Sequence, residues 1–141
     1  MKAAMVKRFR TGAAMAAFAA GLYKKALLKK RGQLLAAVSG GRTPERLFGK
    51  LASLALPWER AVFFMADERL VPRSSPHSNF GAARRALFSK AGVPESNLHP
   101  VPLKPGAAAA YQRELVKAAG PAGWLDLVFL GLGADGHTAS V

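Results

Sequence analysis

Three short apolar runs stand out along the chain: residues 33–38 (QLLAAV), 61–66 (AVFFMA) and 125–130 (LDLVFL). Each is continuous and too short for a buried helix, so each reads as a strand covered on both faces. Between them, apolar residues recur at helical spacing. Met15, Phe18, Leu22 and Leu27 give a first helix an apolar face, with alanines between them, Thr11 as its cap and Gly32 at its end. Leu47, Leu51 and Leu54 mark a second helix, with Thr43 read as N-cap and Pro44 at the first helical position, before Pro57 breaks it. Ser78 caps a third helix containing Ala82, Leu87 and Phe88 and ending near Gly92. The proline-rich stretch 93–105 is extended, with a short strand around 98–101, and 107–119 forms a last helix with Tyr111 and Leu115 on its core side. Strands alternating with amphipathic helices predict an α/β fold: a Rossmann-like parallel sheet with helices on both faces, in one domain over residues 1–141.

Composition adds exclusions. Half of the 141 residues are hydrophobic, enough for a core, yet no apolar run approaches the ~20 residues of a membrane span. With no cysteine, disulfides, zinc–thiolate sites and thiol nucleophiles are excluded. The charge is lopsided: 21 Lys and Arg against 8 Asp and Glu, a net +13. That balance points to anionic partners. Lys24, Lys25, Lys29, Lys30 and Arg31 crowd the end of the first helix, where cations complement its dipole, and no aromatics interleave with them. They read as a solvated helix end, so neither a nucleic-acid nor a membrane partner is expected. A basic nucleic-acid-binding module is the alternative that the charge alone supports. Lys7, Arg8 and Arg10 ahead of an apolar stretch are similar to a targeting peptide, but the one-sided spacing favours a folded helix.

In parallel sheets ligands bind beyond the carboxyl ends of the strands. The three strands end in Ser39-Gly40-Gly41-Arg42-Thr43-Pro44, Asp67-Glu68-Arg69 and Gly131-Leu132-Gly133-Ala134-Asp135-Gly136-His137. In the first loop, glycines let backbone amides approach an oxyanion at a helix N-terminus, and Ser39, Arg42 and Thr43 add side-chain donors. In the second, Asp67 or Glu68 can position a sugar hydroxyl or water, and Arg69 can pair with a phosphate. The third places His137 after a glycine-rich turn, two residues beyond Asp135: a histidine oriented by a carboxylate, the usual general base. His77 and His99 read as loop and packing residues. Three scattered histidines lack metal-ligand spacing, so no metal and no cofactor are expected. With no Gly-x-Ser-x-Gly elbow, the chemistry implied is activation of water.

In this order and spacing, the three loops resemble the 6-phosphogluconolactonase family, which shares its fold with glucosamine-6-phosphate deaminases. The matching stretches are Ser39 to Pro44, Asp67-Glu68-Arg69-Leu70-Val71-Pro72 with Ser78-Asn79 following, and Gly131 through Ser140. Deaminases have tyrosine where Arg69 stands and a Phe-Asn sequence near the histidine, so the lactonase branch is the better match, with a sugar-phosphate isomerase or deaminase as the alternative. The resemblance implies hydrolysis of 6-phospho-glucono-1,5-lactone in the cytoplasm, with His137 as general base, Asp135 orienting it and Asp67 assisting. Gly40, Gly41, Arg42 and Arg69 would hold the substrate, together with Ser39, Thr43, Glu68, Asn79, Gly133 and Gly136. Relatives continue beyond the histidine loop with Leu-Phe-Pro and a further region carrying strands, helices and basic residues. The resemblance therefore implies a chain lacking the C-terminal part of the fold, with a raw sheet edge and little activity by itself. Oligomeric state is left open.

Overall fold

The central strand of the domain is β1 (Leu34–Val38), flanked in parallel by β2 (Ala61–Met65) on one side and by β4 (Leu127–Phe129) on the other. The computed structural model describes residues 4–141. Leu34 pairs with Ala61 and Val38 with Met65, while Ala36 faces Leu127 and Val38 faces Phe129. A two-residue β3 (Leu98–His99) pairs with Phe63 and Phe64, giving the order β3-β2-β1-β4, parallel throughout. The expected parallel sheet is present, with each strand slightly shorter than the apolar run that predicts it.

Alternation along the strands divides the core. Leu34, Ala36, Val38, Ala61, Phe63 and Met65 point to one face, where they meet α1 (Gly12–Lys29), α2 (Arg42–Ala52) and the helical stretch beginning with α3 (Asn79–Ala83). That stretch passes through a π-helical turn (Arg84–Phe88) into α4 (Ser89–Ala91) and stops at Gly92, which adopts the left-handed conformation at φ 71°. Leu35, Ala37, Val62 and Phe64 point the other way, against Tyr111 and Leu115 of α5 (Ala107–Ala119). Both faces are thus covered by helices. Tyr23 stacks on Phe63 and Trp58, and Phe63 meets Phe88, so an aromatic column joins α1, β2 and the third helical stretch.

Two helix readings need correction. The buried face of α1 is Ala16, Ala20, Tyr23 and Leu27, whereas Met15 and Leu22 are exposed. Ala16 and Ala20 bring the first half of the helix close to its neighbours, while Met15 and Leu22 are turned outward. At α2 the cap is Gly41 rather than Thr43: Gly41 has φ 108°, open to glycine and strained for threonine. The helix consequently starts at Arg42, and Thr43 and Pro44 fall inside its first turn. Thr11 and Ser78 cap as expected, accepting from Ala14 N at 3.1 Å and Gly81 N at 3.0 Å.

Two fasteners hold the ends of the sheet. Arg60 donates from Nε to Gly32 O at 3.0 Å and from its terminal nitrogen to Leu27 O at 3.2 Å and to Lys30 O, closing the C-terminus of α1 onto the start of β2. Asp126 accepts from Leu35 N at 2.9 Å and from Lys30 Nζ at 2.6 Å, tying the start of β4 to β1. Burial pushes the Asp126 carboxyl up, but the Lys30 and Leu35 hydrogen bonds outweigh it and hold the group below the ordinary carboxylate value.

Candidate functional site

The parallel order turns the three strand ends toward one edge of the sheet, where their loops surround a cavity of about 700 Å³. Ser39, Gly40, Gly41, Arg42 and Thr43 line it from the β1 loop, Asp67 and Arg69 from the β2 loop, and Gly133 and His137 from the β4 loop; Asn79 closes it from the start of α3. Ten of the thirteen residues expected from the sequence therefore meet in one cavity. Asp135, Gly136 and Glu68 are not in the wall.

The β1 loop enters the cavity as open backbone. Gly41 makes no side-chain cap, so the first amides of α2 carry no capping oxygen and point the positive end of its dipole at the site. A Cβ on Gly40 would collide with the Asn79 side chain, which lies directly against this glycine. The Ser39 hydroxyl is buried and makes no hydrogen bond with the described residues.

In the β2 loop the two carboxylates separate in role. Asp67 accepts through Oδ2 from Asn79 Nδ2 at 3.0 Å, while its Oδ1 is buried without a hydrogen-bond partner among the described residues. Glu68 turns away from the cavity and is occupied by the start of α3: Asn79 N donates to it at 2.7 Å and Phe80 N at 2.9 Å. The expectation that Glu68 binds substrate is corrected on this point, because its oxygens are taken up by backbone donors. The strand end before Asp67 is held by Tyr111, whose hydroxyl accepts from Met65 N at 2.6 Å and lies 3.0 Å from both Met65 O and His99 O. Burial pushes the Tyr111 hydroxyl well above its ordinary value, so it remains a donor.

The β4 loop builds its dyad within itself. Gly133 N donates to His137 O at 2.8 Å and Gly136, at φ 91°, makes the turn between them. His137 Nδ1 lies 2.5 Å from Asp135 Oδ1, and the His137 backbone N donates to the same oxygen at 3.3 Å. The hydrogen bond from His137 holds the Asp135 carboxyl below the ordinary carboxylate range, so it is ionised at neutral pH. With Nδ1 engaged, Nε2 is the imidazole nitrogen left to exchange a proton in the cavity. Thr138 Oγ1 donates to Gly131 O at 2.8 Å and closes the loop.

Met15, Glu45, Pro76, His77, Leu130 and Leu132 also line the cavity and were not expected there. Met15 was misread as a core residue of α1, and no periodic signal marks the approach of the 76–77 turn. His77 therefore belongs to the site wall, whereas His99 packs elsewhere, stacked on Phe64. Among the described residues, no three His, Asp or Glu side chains gather as a metal-binding set, and no helix is long and apolar enough to cross a membrane.

Residues 10–141 match the family described as glucosamine-6-phosphate isomerases/6-phosphogluconolactonase. The chain belongs to this family. It is 40% identical over 119 residues to the 6-phosphogluconolactonase of Thermotoga maritima, covering 82% of this chain and 52% of that protein. It is 43% identical over 122 residues to the 6-phosphogluconolactonase of Synechocystis, covering 81% and 51%. The crystal structure of the Thermotoga maritima 6-phosphogluconolactonase superposes with a TM-score of 0.80 at 37% identity, over 89% of this chain and 59% of that one. That of the Leishmania guyanensis 6-phosphogluconolactonase gives 0.87 at 27%, over 99% and 64%. The chain spans about half the length of the curated relatives it matches.

Proposed function

We propose that this chain carries the general-base half of a 6-phosphogluconolactonase site, hydrolysing 6-phospho-glucono-1,5-lactone to 6-phosphogluconate. The observation that carries the reading is His137 on the wall of a cavity, held from behind by Asp135, where the same cavity also presents Arg42, Arg69 and the uncapped start of α2. An anion fits the arginine end: guanidinium groups pair with phosphate oxygens, and the α2 amides and dipole add attraction. The lactone carbonyl then lies toward His137. The imidazole Nε2 takes a proton from water as the water oxygen attacks C1, and ionised Asp135 stabilises the imidazolium. Collapse of the tetrahedral adduct breaks the bond to the ring oxygen, which takes the proton back from Nε2. Asp67 Oδ1 and Ser39 Oγ, buried and without a partner among the described residues, suit the sugar hydroxyls or the attacking water. A phosphorylated substrate that does not cross membranes fits a cytoplasmic enzyme.

The lactonase reading is preferred to the isomerase or deaminase alternative because Arg69 lines the cavity, and the relatives at about 40% identity are named 6-phosphogluconolactonases. The test is release of 6-phosphogluconate from fresh lactone, measured above the buffer blank at each pH. His137→Asn should lower the enzymatic rate by roughly 10²–10⁴-fold. Equal rates in wild type and His137→Asn would remove the general-base assignment.

A further inference from the structure

Glu68 touches no part of the cavity, yet it sits one bond network away from the carboxylate that does. Its Oε1 accepts from Arg69 N at 2.8 Å and Asn79 N at 2.7 Å, and its Oε2 from Phe80 N at 2.9 Å and Ser78 Oγ at 3.2 Å. Four donors from two adjoining segments leave this carboxylate nothing to offer a ligand. They fix the backbone of Asn79, which is itself buried. From that anchored backbone the Asn79 side chain reaches across to Asp67, donating to Oδ2 at 3.0 Å and to the main-chain oxygen at 3.3 Å. It passes through the gap left by the missing Cβ of Gly40. One Asp67 oxygen is engaged by this contact, and the other, Oδ1, is left buried and without a partner among the described residues, on a residue of the cavity wall.

We propose that Glu68 is a positioning residue: through Asn79 it turns Asp67 so that Oδ1 stands as a single fixed acceptor for one hydroxyl of the bound sugar. A carboxylate repels phosphate and attracts hydroxyl donors, so Asp67 reads the sugar end of the ligand while Arg42 and Arg69 read its phosphate. The identity of the ligand rests on the lactonase reading above; the clamp does not. In Glu68→Gln the carboxamide nitrogen must face the Asn79, Phe80 or Arg69 amides, donor against donor, so the anchor is lost with almost no change in volume.

Binding of 6-phosphogluconate and, separately, of inorganic phosphate is measured by calorimetry, and the Asn79 side-chain amide resonances are followed by NMR in the ligand-free protein. Glu68→Gln is expected to move those resonances, to weaken 6-phosphogluconate about tenfold, and to leave phosphate within about twofold, the loss of one well-placed hydrogen bond. Placed on Asp67→Asn, it should add less than about twofold, because its target is already gone. Should Glu68→Gln not fold, Asn79→Ala keeps the Glu68 backbone contacts and must give the same selective loss. Unmoved Asn79 resonances in folded Glu68→Gln, additive losses with Asp67→Asn, or wild-type binding in Asn79→Ala would each overturn the clamp. If wild type binds phosphate but not 6-phosphogluconate, the lactonase reading falls, and the Asn79 resonances alone decide the clamp.

Discussion

Gly133→Ala offers a direct measure of how much the proposed chemistry depends on the geometry of the β4 loop. A Cβ at this position would sit 2.7 Å from Asp135 Oδ1 and closer still to the His137 ring. Ordinary carbon contacts with these atoms begin near 3.4 Å, so the ring and the carboxylate must retreat by very roughly 1 Å. Misplacement of a catalytic group on that scale costs on the order of 10²-fold in rate. Stability should not follow. Gly133 has no positive φ, alanine is conformationally acceptable there, and the loop lies at the exposed end of the sheet. Replacing glycine at such a site restricts the unfolded chain and adds about 0.4–1 kcal/mol at best, so the midpoint of denaturation should hold or rise slightly. The assay pairs lactone hydrolysis, corrected for the spontaneous rate, with urea denaturation, and adds the ¹⁵N shifts of the His137 ring. The expected pattern is a lost rate, a retained midpoint and a changed ring environment. A variant that keeps full activity would show that the Asp135–His137 contact is not needed for turnover. A variant that loses rate and stability together would place the effect in folding rather than in the dyad.

Other perturbations probe the frame that carries the site. Asp126→Ala removes an exposed ion pair and the acceptor for Leu35 N and should destabilise by about 1–2 kcal/mol, whereas Asp126→Asn keeps an acceptor and should lose less. Because the folded Asp126 carboxyl lies below its unfolded value of 3.8, its contribution is complete above that pH and fades as pH falls through the folded value. The gap between wild type and Asp126→Asn should therefore close in acid, and a gap independent of pH in denaturation curves would contradict the ion pair. Arg60→Ala strips the carbonyls of Gly32, Leu27 and Lys30 of their donor and should cost about 2 kcal/mol; Arg60→Lys, a point charge, should recover less than half. Tyr111→Phe removes an acceptor from the Met65 amide and the donor that ties Met65 O to His99 O, so hydrogen exchange at Met65 should accelerate relative to that of Leu34 in the same sheet.

How far the chain could be read before its structure depended on the range of the signal. Continuous apolar runs declare parallel strands, and strands that all point one way force their following loops to one edge; Gly41, Asp67 and His137 were legible for that reason. The face of α1 was not. Periodicity weights large side chains, while the helix buries Ala16 and Ala20 because close approach to its neighbours requires small ones. Thr43 was misread as a cap since the preference for a hydroxyl there is local, and the positive φ that Gly41 supplies is imposed by the strand-to-helix turn.

The division between Asp67 and Glu68 shows most plainly what spacing cannot carry. The two carboxylates are adjacent, equivalent in charge, and equally able to bind a sugar hydroxyl on paper. Their separation is decided by residues about ten positions later: Ser78 brings its hydroxyl and Asn79 and Phe80 their backbone amides against one carboxylate, while the Asn79 side-chain amide meets the other. Four donors fill the acceptor sites of Glu68 and one reaches Asp67 Oδ2, so Asp67 Oδ1 is the oxygen of the two groups left without a partner among the described residues. The same accounting explains Gly40 without reference to any ligand: it is small because Asn79 must pass it to reach Asp67. A Gly40→Ala variant should therefore behave like loss of Asn79. It should weaken 6-phosphogluconate about tenfold while sparing inorganic phosphate, provided that the β1 loop keeps its conformation. Equal weakening of both ligands would place Gly40 in the phosphate cradle and detach it from the Glu68–Asn79–Asp67 chain.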